Sequence, residues 1–208
     1  MKATDCIDAG NGYVAAPEAR LSFPNIFSPG KMSGKYEVTL LLPADSDIKG
    51  LETLASQTLQ DKFGKAVPLD KLKHPVVRRA EDCLTVDGEA KYPDFEGWFV
   101  LRATSQRQPG VFDRSNKPIA PATMSDGSLG NPDSIYPGVW ARCVINAYAW
   151  QHPQSGRGVS FGLDSVMIVR DDDRIGGGGG RGSGVFAQLA EALPAEDSDG
   201  FLDDKPPF

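Results

Sequence analysis

Two kinds of side chain alternate along residues 138–151, with the period of a β-strand whose two faces have different surroundings. One set is small and apolar: Val139, Ala141, Cys143, Ile145, Ala147 and Ala149. The other set is Trp140, Arg142, Val144, Asn146, Tyr148 and Trp150. Aromatic rings stack on nucleobases for roughly 1–3 kcal/mol per base, and basic side chains between the rings can neutralise phosphates. The second face is therefore typical of a platform for single-stranded nucleic acid.

Residues 97–105 repeat this pattern. Phe99, Leu101 and Ala103 fall on one side, and Trp98, Val100, Arg102 and Thr104 fall on the other. All three tryptophans of the chain thus lie on the mixed faces of two predicted strands. The residues leave an alternative open, in which a helix or a long loop covers this face and the aromatic side chains belong to an ordinary core.

Further basic residues lie in segments predicted to flank the mixed face. They are Lys31, Lys35, Lys71, Lys73, Arg78, Arg79, Arg107, Arg114, Lys117 and Arg157. Residues 1–170 contain 19 bases and 19 acids, so this part of the chain has no net charge. A positive groove therefore requires that the acids lie on the opposite side of the molecule.

Glycine and proline make up 39 of the 208 residues and separate short apolar runs, which favours a β-rich domain. Strands are predicted at 20–27, 35–42, 97–105, 138–151 and 157–170. The spacing of apolar residues predicts one helix at 47–63, which Gly64 ends, and a short second helix at 185–193. The segments 64–97 and 106–137 are predicted as long loops.

No set of residues suited to catalysis or to a metal ion stands out. The chain has two histidines, His74 and His152, and three widely spaced cysteines, which argues against a histidine-based triad, a zinc site or a disulfide framework. We expect no cofactor and no enzymatic activity. The alternative from another class is a metal-dependent nuclease that uses Asp164 and the acids at 171–173.

The end of the chain differs from the rest. Five consecutive glycines at 176–180 precede a tail in which six acids from Glu191 onward face one base, Lys205. This composition predicts an N-terminal arm at 1–19, a folded domain at 20–175 and a hinge with a disordered acidic tail at 176–208. The chain has no long apolar run, so we expect a soluble protein without a membrane segment or a signal peptide.

Five blocks of sequence carry a family resemblance. They are LSFPNIF at 21–27, YEVTLLLP at 36–43, GWFVLRATSQRQPGVFDRSNKPI at 97–119, IYPGVWARCVINAYAW at 135–150 and GRGVSFGLDSVMIVRDDDRIGGG at 156–178. Together they resemble bacteriophage single-stranded-DNA-binding proteins, a family formerly classed as a domain of unknown function. The resemblance implies an all-β OB-fold, a five-stranded Greek-key barrel with long loops and one helix. It also implies a role in phage DNA replication, recombination or repair in the cytoplasm of the infected bacterial host.

The mixed faces and the resemblance together predict the residues of a DNA site. Base stacking is assigned to Trp98, Trp140, Tyr148 and Trp150, with Phe112 as a further candidate, and phosphate contacts to Lys35, Arg102, Arg107, Arg114 and Arg142. The resemblance further implies that Asp203, Asp204 and Phe208 recruit replication or recombination proteins, and that the tail competes with DNA. A third hypothesis is an annealing or recruitment factor with secondary DNA contact. The oligomeric state, monomer or dimer, is left open.

Overall fold

The structure is a computed structural model that describes residues 2–64 and 68–175. The predicted helix at 185–193, the glycine run and the tail with Asp203, Asp204 and Phe208 lie outside the described residues. Among the residues that are described, no helix is both long enough and apolar enough to cross a membrane.

The described part of the chain contains eleven strands, one α-helix and two short 3-10 helices, Leu69–Lys71 and Pro93–Phe95. The strands are β1 Ile7–Gly10, β2 Tyr13–Ala15, β3 Ala19–Asn25, β4 Tyr36–Leu42, β5 Val77–Arg79, β6 Phe99–Ser105, β7 Gly110–Phe112, β8 Ala122–Thr123, β9 Leu129–Gly130, β10 Trp140–His152 and β11 Gly156–Arg170. The helix, α1, spans Lys49–Phe63. All five predicted strands and the predicted body helix are present, with ends that differ by a few residues.

Five of the strands close into a barrel in the order β3, β4, β6, β11, β10 and back to β3. Neighbouring strands are antiparallel except for β6 and β11, which are parallel. Numbered along the chain, the five barrel strands therefore follow the cyclic order 1-2-3-5-4-1. The predicted all-β class with one helix, and the OB-fold, are confirmed.

The inside of the barrel is apolar because each barrel strand turns alternate side chains inward. On β10 the inward set includes Ala141, Cys143 and Ile145, which have no exposed surface. The helix α1 packs against β10 and β11 and buries Leu51, Leu54, Ala55 and Leu59 in the same core. The small apolar face of the predicted strand is therefore the core face, as the alternation indicated.

Two segments add to the five-stranded barrel: the first extends its sheet, and the second covers part of its outer face. Residues 7–15, which fall in the predicted N-terminal arm, form the hairpin of β1 and β2, and β2 pairs with β10. The loop 80–98 packs on β4 and β6, where Leu41 and Val100 form a small second core with Ala80, Cys83, Tyr92 and Phe95. The outer face is thus partly covered and partly open.

The segment that follows β11 returns to the start of β10. The backbone N–H of Ile175 donates to the carbonyl of Pro137 at 2.9 Å, and Arg20 Nε donates to the carbonyl of Gly138 at 2.9 Å. Gly138 has a φ of +112°, and a Cβ at this position would lie 2.2 Å from the carbonyl oxygen of Asp173. A residue without a side chain is therefore required for residues 171–175 to pack here.

We expect Gly138→Ala to lower the free energy of unfolding by at least about 2 kcal/mol more than Gly156→Ala. Both positions have a positive φ, but a Cβ at Gly156 would meet nothing within 4 Å, so that variant carries only the backbone strain. Urea unfolding of the two variants measures the difference. If the two variants lose the same free energy of unfolding, the contact between Gly138 and residues 171–175 contributes nothing to stability.

Candidate nucleic-acid interface

Two neighbouring clefts open on the outer face of the barrel. The first, the Trp150 cleft, has a volume of about 580 Å³ and is lined by Trp150, Tyr148, His74, Lys35, Lys73, Arg78 and Arg102, among others. The second, the Phe23 cleft, has a volume of about 770 Å³, and its lining includes Phe23, Tyr92, Lys31, Lys91, Arg78 and Arg102. Arg78 and Arg102 line both clefts, which makes the clefts adjoining parts of one surface.

The ring of Trp150 is held in place by three contacts. Trp150 pairs with Gly158 across β10 and β11, and a Cβ on Gly158 would lie 2.1 Å from the ring carbon Cζ2. The indole Nε1 donates to Ser160 Oγ at 2.9 Å, and the ring centroid lies 6.2 Å from that of His74. The absence of a side chain at residue 158 lets the indole lie against the strand. Nearby, Tyr148 is 42% exposed.

The clefts concentrate positive charge. Six basic side chains line them: Lys31, Lys35, Lys73, Arg78, Lys91 and Arg102. Among the described lining residues, Glu37 is the one acid. Because residues 1–170 as a whole are neutral, the fold separates the charges in the way that a groove for a polyanion requires.

The single acid forms an ion pair with one of the shared arginines. Arg102, on β6, donates from its guanidinium to the carboxylate of Glu37, on β4. Ser33 Oγ and Asn25 Nδ2 also donate to this carboxylate, at 3.0 and 3.4 Å. Burial acts to raise the pKa of Glu37, but the hydrogen bonds from Arg102 and Ser33 outweigh it, so the pKa lies below its ordinary value of 4.5.

Four of the predicted site residues are thus brought together: Lys35 and Arg102 with Tyr148 and Trp150. Two others, Trp98 and Trp140, lie together elsewhere, with ring centroids 6.0 Å apart. Trp140 is only 8% exposed, its Nε1 donates to Asp172 Oδ2 at 2.6 Å, and the guanidinium of Arg170 lies 3.8 Å from its ring centroid. The expectation that Trp140 presents a free ring does not fit this position, because the fold already uses both its ring and its N–H.

Arg142 is also placed differently from the prediction. Its guanidinium donates to the carbonyls of Lys2 at 2.7 Å and Ala3 at 3.0 Å, and it lies 3.8 Å from the carboxylate of Glu18. These contacts hold the N-terminal segment against β10. Arg142 therefore has a structural role here and lines neither cleft.

Three predicted residues, Arg107, Phe112 and Arg114, do not line either of the two clefts. Arg107 is exposed after β6, and the half-buried Phe112 lies on β7, opposite Met167 of β11. Arg114 is exposed in the turn that follows β7. A contact of these residues with DNA stays a prediction from the sequence.

Other cleft residues had no assigned contact in the predicted DNA site, although Arg78 was among the basic residues predicted to flank the mixed face. His74 and Arg78 come from the segment 64–97, which was predicted as a loop but contains β5, paired with β6 through Arg78 and Val100. Phe23 and Lys91 come from β3 and from the loop 80–98. The adjacent valines at 76 and 77 were a weak strand signal, whereas no sequence pattern indicated that Phe23 points away from the core.

Two of the four acids considered for a nuclease, Asp171 and Asp172, are engaged in structural contacts, whereas Asp164 is exposed. Asp172 accepts the Trp140 N–H, and Asp171 accepts the hydroxyl of Tyr136 at 3.2 Å. The hydrogen bond from Trp140, followed by one from a backbone N–H, lowers the pKa of Asp172. Within residues 2–64 and 68–175, no three His, Cys, Asp or Glu side chains are grouped so that they could hold a metal ion.

The closed barrel and its basic, aromatic clefts define an OB-fold binding protein. The chain belongs to the family described as Enterobacter phage Enc34, ssDNA-binding protein, whose family model matches residues 13–198. Protein p50 of Acyrthosiphon pisum secondary endosymbiont phage 1 is 28% identical over 184 residues, which cover 85% of this chain and 94% of p50.

Two solved structures support the fold. The single-stranded DNA-binding protein from bacteriophage Enc34, solved as a C-terminal truncation, is 21% identical with a TM-score of 0.65, covering 84% of this chain and 95% of that one. The protein from the same phage solved in complex with single-stranded DNA is 22% identical with a TM-score of 0.64, covering 85% and 96%. This chain therefore shares its fold with both structures over 84–85% of its length.

We expect Glu37→Gln to lower the free energy of unfolding at pH 7 by about 0.5–1 kcal/mol, because Arg102 is exposed and the pair is partly screened. A lowered folded-state pKa gives stability that is present above the unfolded value and lost as the pH falls through the folded value. The difference between wild type and variant should therefore close below the ordinary value of 4.5.

Urea unfolding at pH 7 and at about pH 3 measures this difference, with Glu89→Gln, at an exposed site in the loop 80–98, as the control. A difference that persists unchanged at about pH 3 would show that the ionised carboxylate of Glu37 does not stabilise the fold.

Proposed function

We propose that this protein binds single-stranded DNA without sequence preference, as a non-enzymatic factor in phage DNA replication, recombination or repair in the cytoplasm of the host bacterium. The observation that carries the proposal is the Trp150 cleft, where a fixed indole and an exposed Tyr148 lie beside four basic side chains. Membership of the Enc34 family and the fold shared with a protein solved with single-stranded DNA support it.

The contacts suggest how a strand would be held. Bases stack on Trp150 and Tyr148, and any base can do so because each has a π face. Lys35, Lys73 and Arg78 meet the phosphates between the stacked bases. Arg102 exchanges the carboxylate of Glu37 for a phosphate, because a guanidinium forms the same kind of charge-assisted hydrogen bond with either oxyanion.

We expect Trp150→Ala to weaken binding of labelled oligo-dT by about 5- to 150-fold, the equivalent of one lost base stack. Fluorescence anisotropy of the labelled oligonucleotide measures the dissociation constant without depending on protein tryptophan. Unchanged affinity at low salt would contradict the assignment of the Trp150 cleft to DNA.

The neighbouring arginines at 78 and 79 give a matched test of the phosphate contacts. Arg78 lines both clefts, whereas the guanidinium of Arg79 lies 4.0 Å from the ring centroid of Phe99 and donates to the carbonyl of Gly97 at 2.7 Å. We expect Arg78→Ala to reduce the slope of log K against log salt concentration by roughly 0.7, and Arg79→Ala to leave it unchanged. If both substitutions change the salt slope equally, the DNA strand does not follow the two clefts.

We propose in addition that the acidic tail competes with DNA and recruits replication or recombination proteins, with Asp203, Asp204 and Phe208 at its end. Its support is the tail's charge, six acids against one base from Glu191 onward, which is opposite in sign to the basic side chains that line the two clefts.

A protein that ends at Ile175 should bind oligo-dT more tightly than the full chain at low salt, and the difference should shrink as salt screens the tail charge. A full-length variant with its tail acids changed to Asn and Gln is the control for chain length. If truncation leaves the affinity unchanged, competition by the tail is ruled out, and recruitment is tested separately by partner binding.

A further inference from the structure

We infer that the Phe23 cleft is a second base-binding subsite, in which a nucleobase stacks on Phe23 and displaces the ammonium of Lys91. This inference rests on the proposed binding of single-stranded DNA and extends it beyond the Trp150 cleft. Three independent features of the described residues support it: the backbone at Phe23, the contact with Lys91 and the residues that the two clefts share.

The backbone turns the Phe23 side chain away from the core. The pairing of β3 with β4 shifts register between Ser22 and Asn25, and Phe23 has a φ of +50°, in the left-handed region that a bulky residue rarely adopts. Phe23 is 56% exposed, while its neighbours Ser22 and Pro24 are buried. Asn131 Nδ2 donates to the carbonyl of Pro24 at 2.6 Å and so holds the bulge. A strained backbone that exposes an aromatic ring is typical of a binding position.

The exposed ring already has a weakly held partner. The Nζ atom of Lys91 lies 4.9 Å from the centroid of Phe23 and 5.6 Å from that of Tyr92. The backbone of Lys91 is fixed, because its N–H donates to the carbonyl of Cys83 at 2.8 Å, but its side chain is long and exposed. A base that stacks on Phe23 takes the place of the ammonium group, which then lies within reach of the adjoining phosphate.

The two clefts form a continuous path. Arg78 and Arg102 line both, together with Ser33 and Val100. A strand with one base on Trp150 and a later base on Phe23 therefore passes two arginines that can contact its phosphates. OB-fold proteins cover roughly 4–16 nucleotides per domain, so a site longer than a single cleft is within the ordinary range.

The test compares oligo-dT lengths from about 4 to about 16 nucleotides on wild type, Phe23→Ala and Trp150→Ala. Phe23→Ala should bind the shortest oligonucleotides with the affinity of wild type and the longest with an affinity about 5- to 150-fold lower. Trp150→Ala should bind oligonucleotides of every length more weakly than wild type. Leu84→Ala, which removes another exposed apolar side chain from the same cleft, is the matched control.

Two further variants separate binding from folding. Phe23→Gly removes the ring but relieves the positive φ, so it should weaken binding of long oligonucleotides while the midpoint of urea unfolding is not lowered. Phe23→Trp should retain affinity and add a fluorescence signal that only long oligonucleotides quench. Lys91→Gln should reduce the salt slope by roughly 0.7 for long oligonucleotides alone.

The outcomes distinguish the subsite from the proposed function. If Phe23→Ala and Phe23→Gly bind the longest oligonucleotides like wild type while Trp150→Ala is impaired, the subsite is wrong and the Trp150 cleft stands. If Leu84→Ala lowers the affinity for the longest oligonucleotides as much as Phe23→Ala does, the cleft acts through its apolar area, and the proposal that a base stacks on Phe23 is wrong. If wild type binds no oligonucleotide at low salt, both the subsite and the proposed function are wrong.

Discussion

The pairing of β10 with β11 is the interaction on which both the fold and the candidate site depend. It runs from Trp140 opposite Arg170 to His152 opposite Gly156. One end of this ladder closes the barrel, through pairing of β10 with β3. The other end carries Tyr148 and Trp150 out to the cleft. At roughly 3.3 Å per residue, Trp140 and Trp150 are about 33 Å apart along the strand, although they belong to the same face.

Because β10 is long, different segments of the chain cover its outer face at different positions. The alternation in 138–151 therefore predicted the core residues correctly but only some of the site residues. Alternation shows which side chains share a face of a strand, but neighbouring segments decide what covers that face. Along β10 the outer face meets the segment after β11 at Trp140, the N-terminal segment at Arg142 and an open cleft at Trp150. At two shifts of register, after Trp140 and after Val144, β11 contributes one residue more than β10, which bends the pair of strands locally.

In the rest of the chain, too, features set by local sequence were predictable, and features set by contacts between distant segments were not. The five barrel strands and α1 follow from local periodicity. Arg102, Tyr148 and Trp150 follow from the mixed faces, and Lys35 follows from the basic residues predicted to flank them. The separation of charge depends on contacts between distant segments, since Arg78 reaches the clefts only because β5 pairs with β6. Phe23 depends on a bulge that breaks the alternation of β3, and so periodicity assigned it no role.

Six basic side chains around two adjoining clefts repel one another in the free protein, and the arrangement of Arg102 with Glu37 reduces this repulsion. The carboxylate neutralises one charge, and Ser33 and Asn25 hold it in place. An arginine that is already paired has lost much of its rotamer freedom. The proposed exchange of a carboxylate for a phosphate would therefore cost little further side-chain entropy. Because Arg102 is exposed, the pair is weak, as the proposed exchange requires. Under the proposed function, an acid inside a basic cleft thus holds an arginine in place and still leaves the cleft accessible to a polyanion.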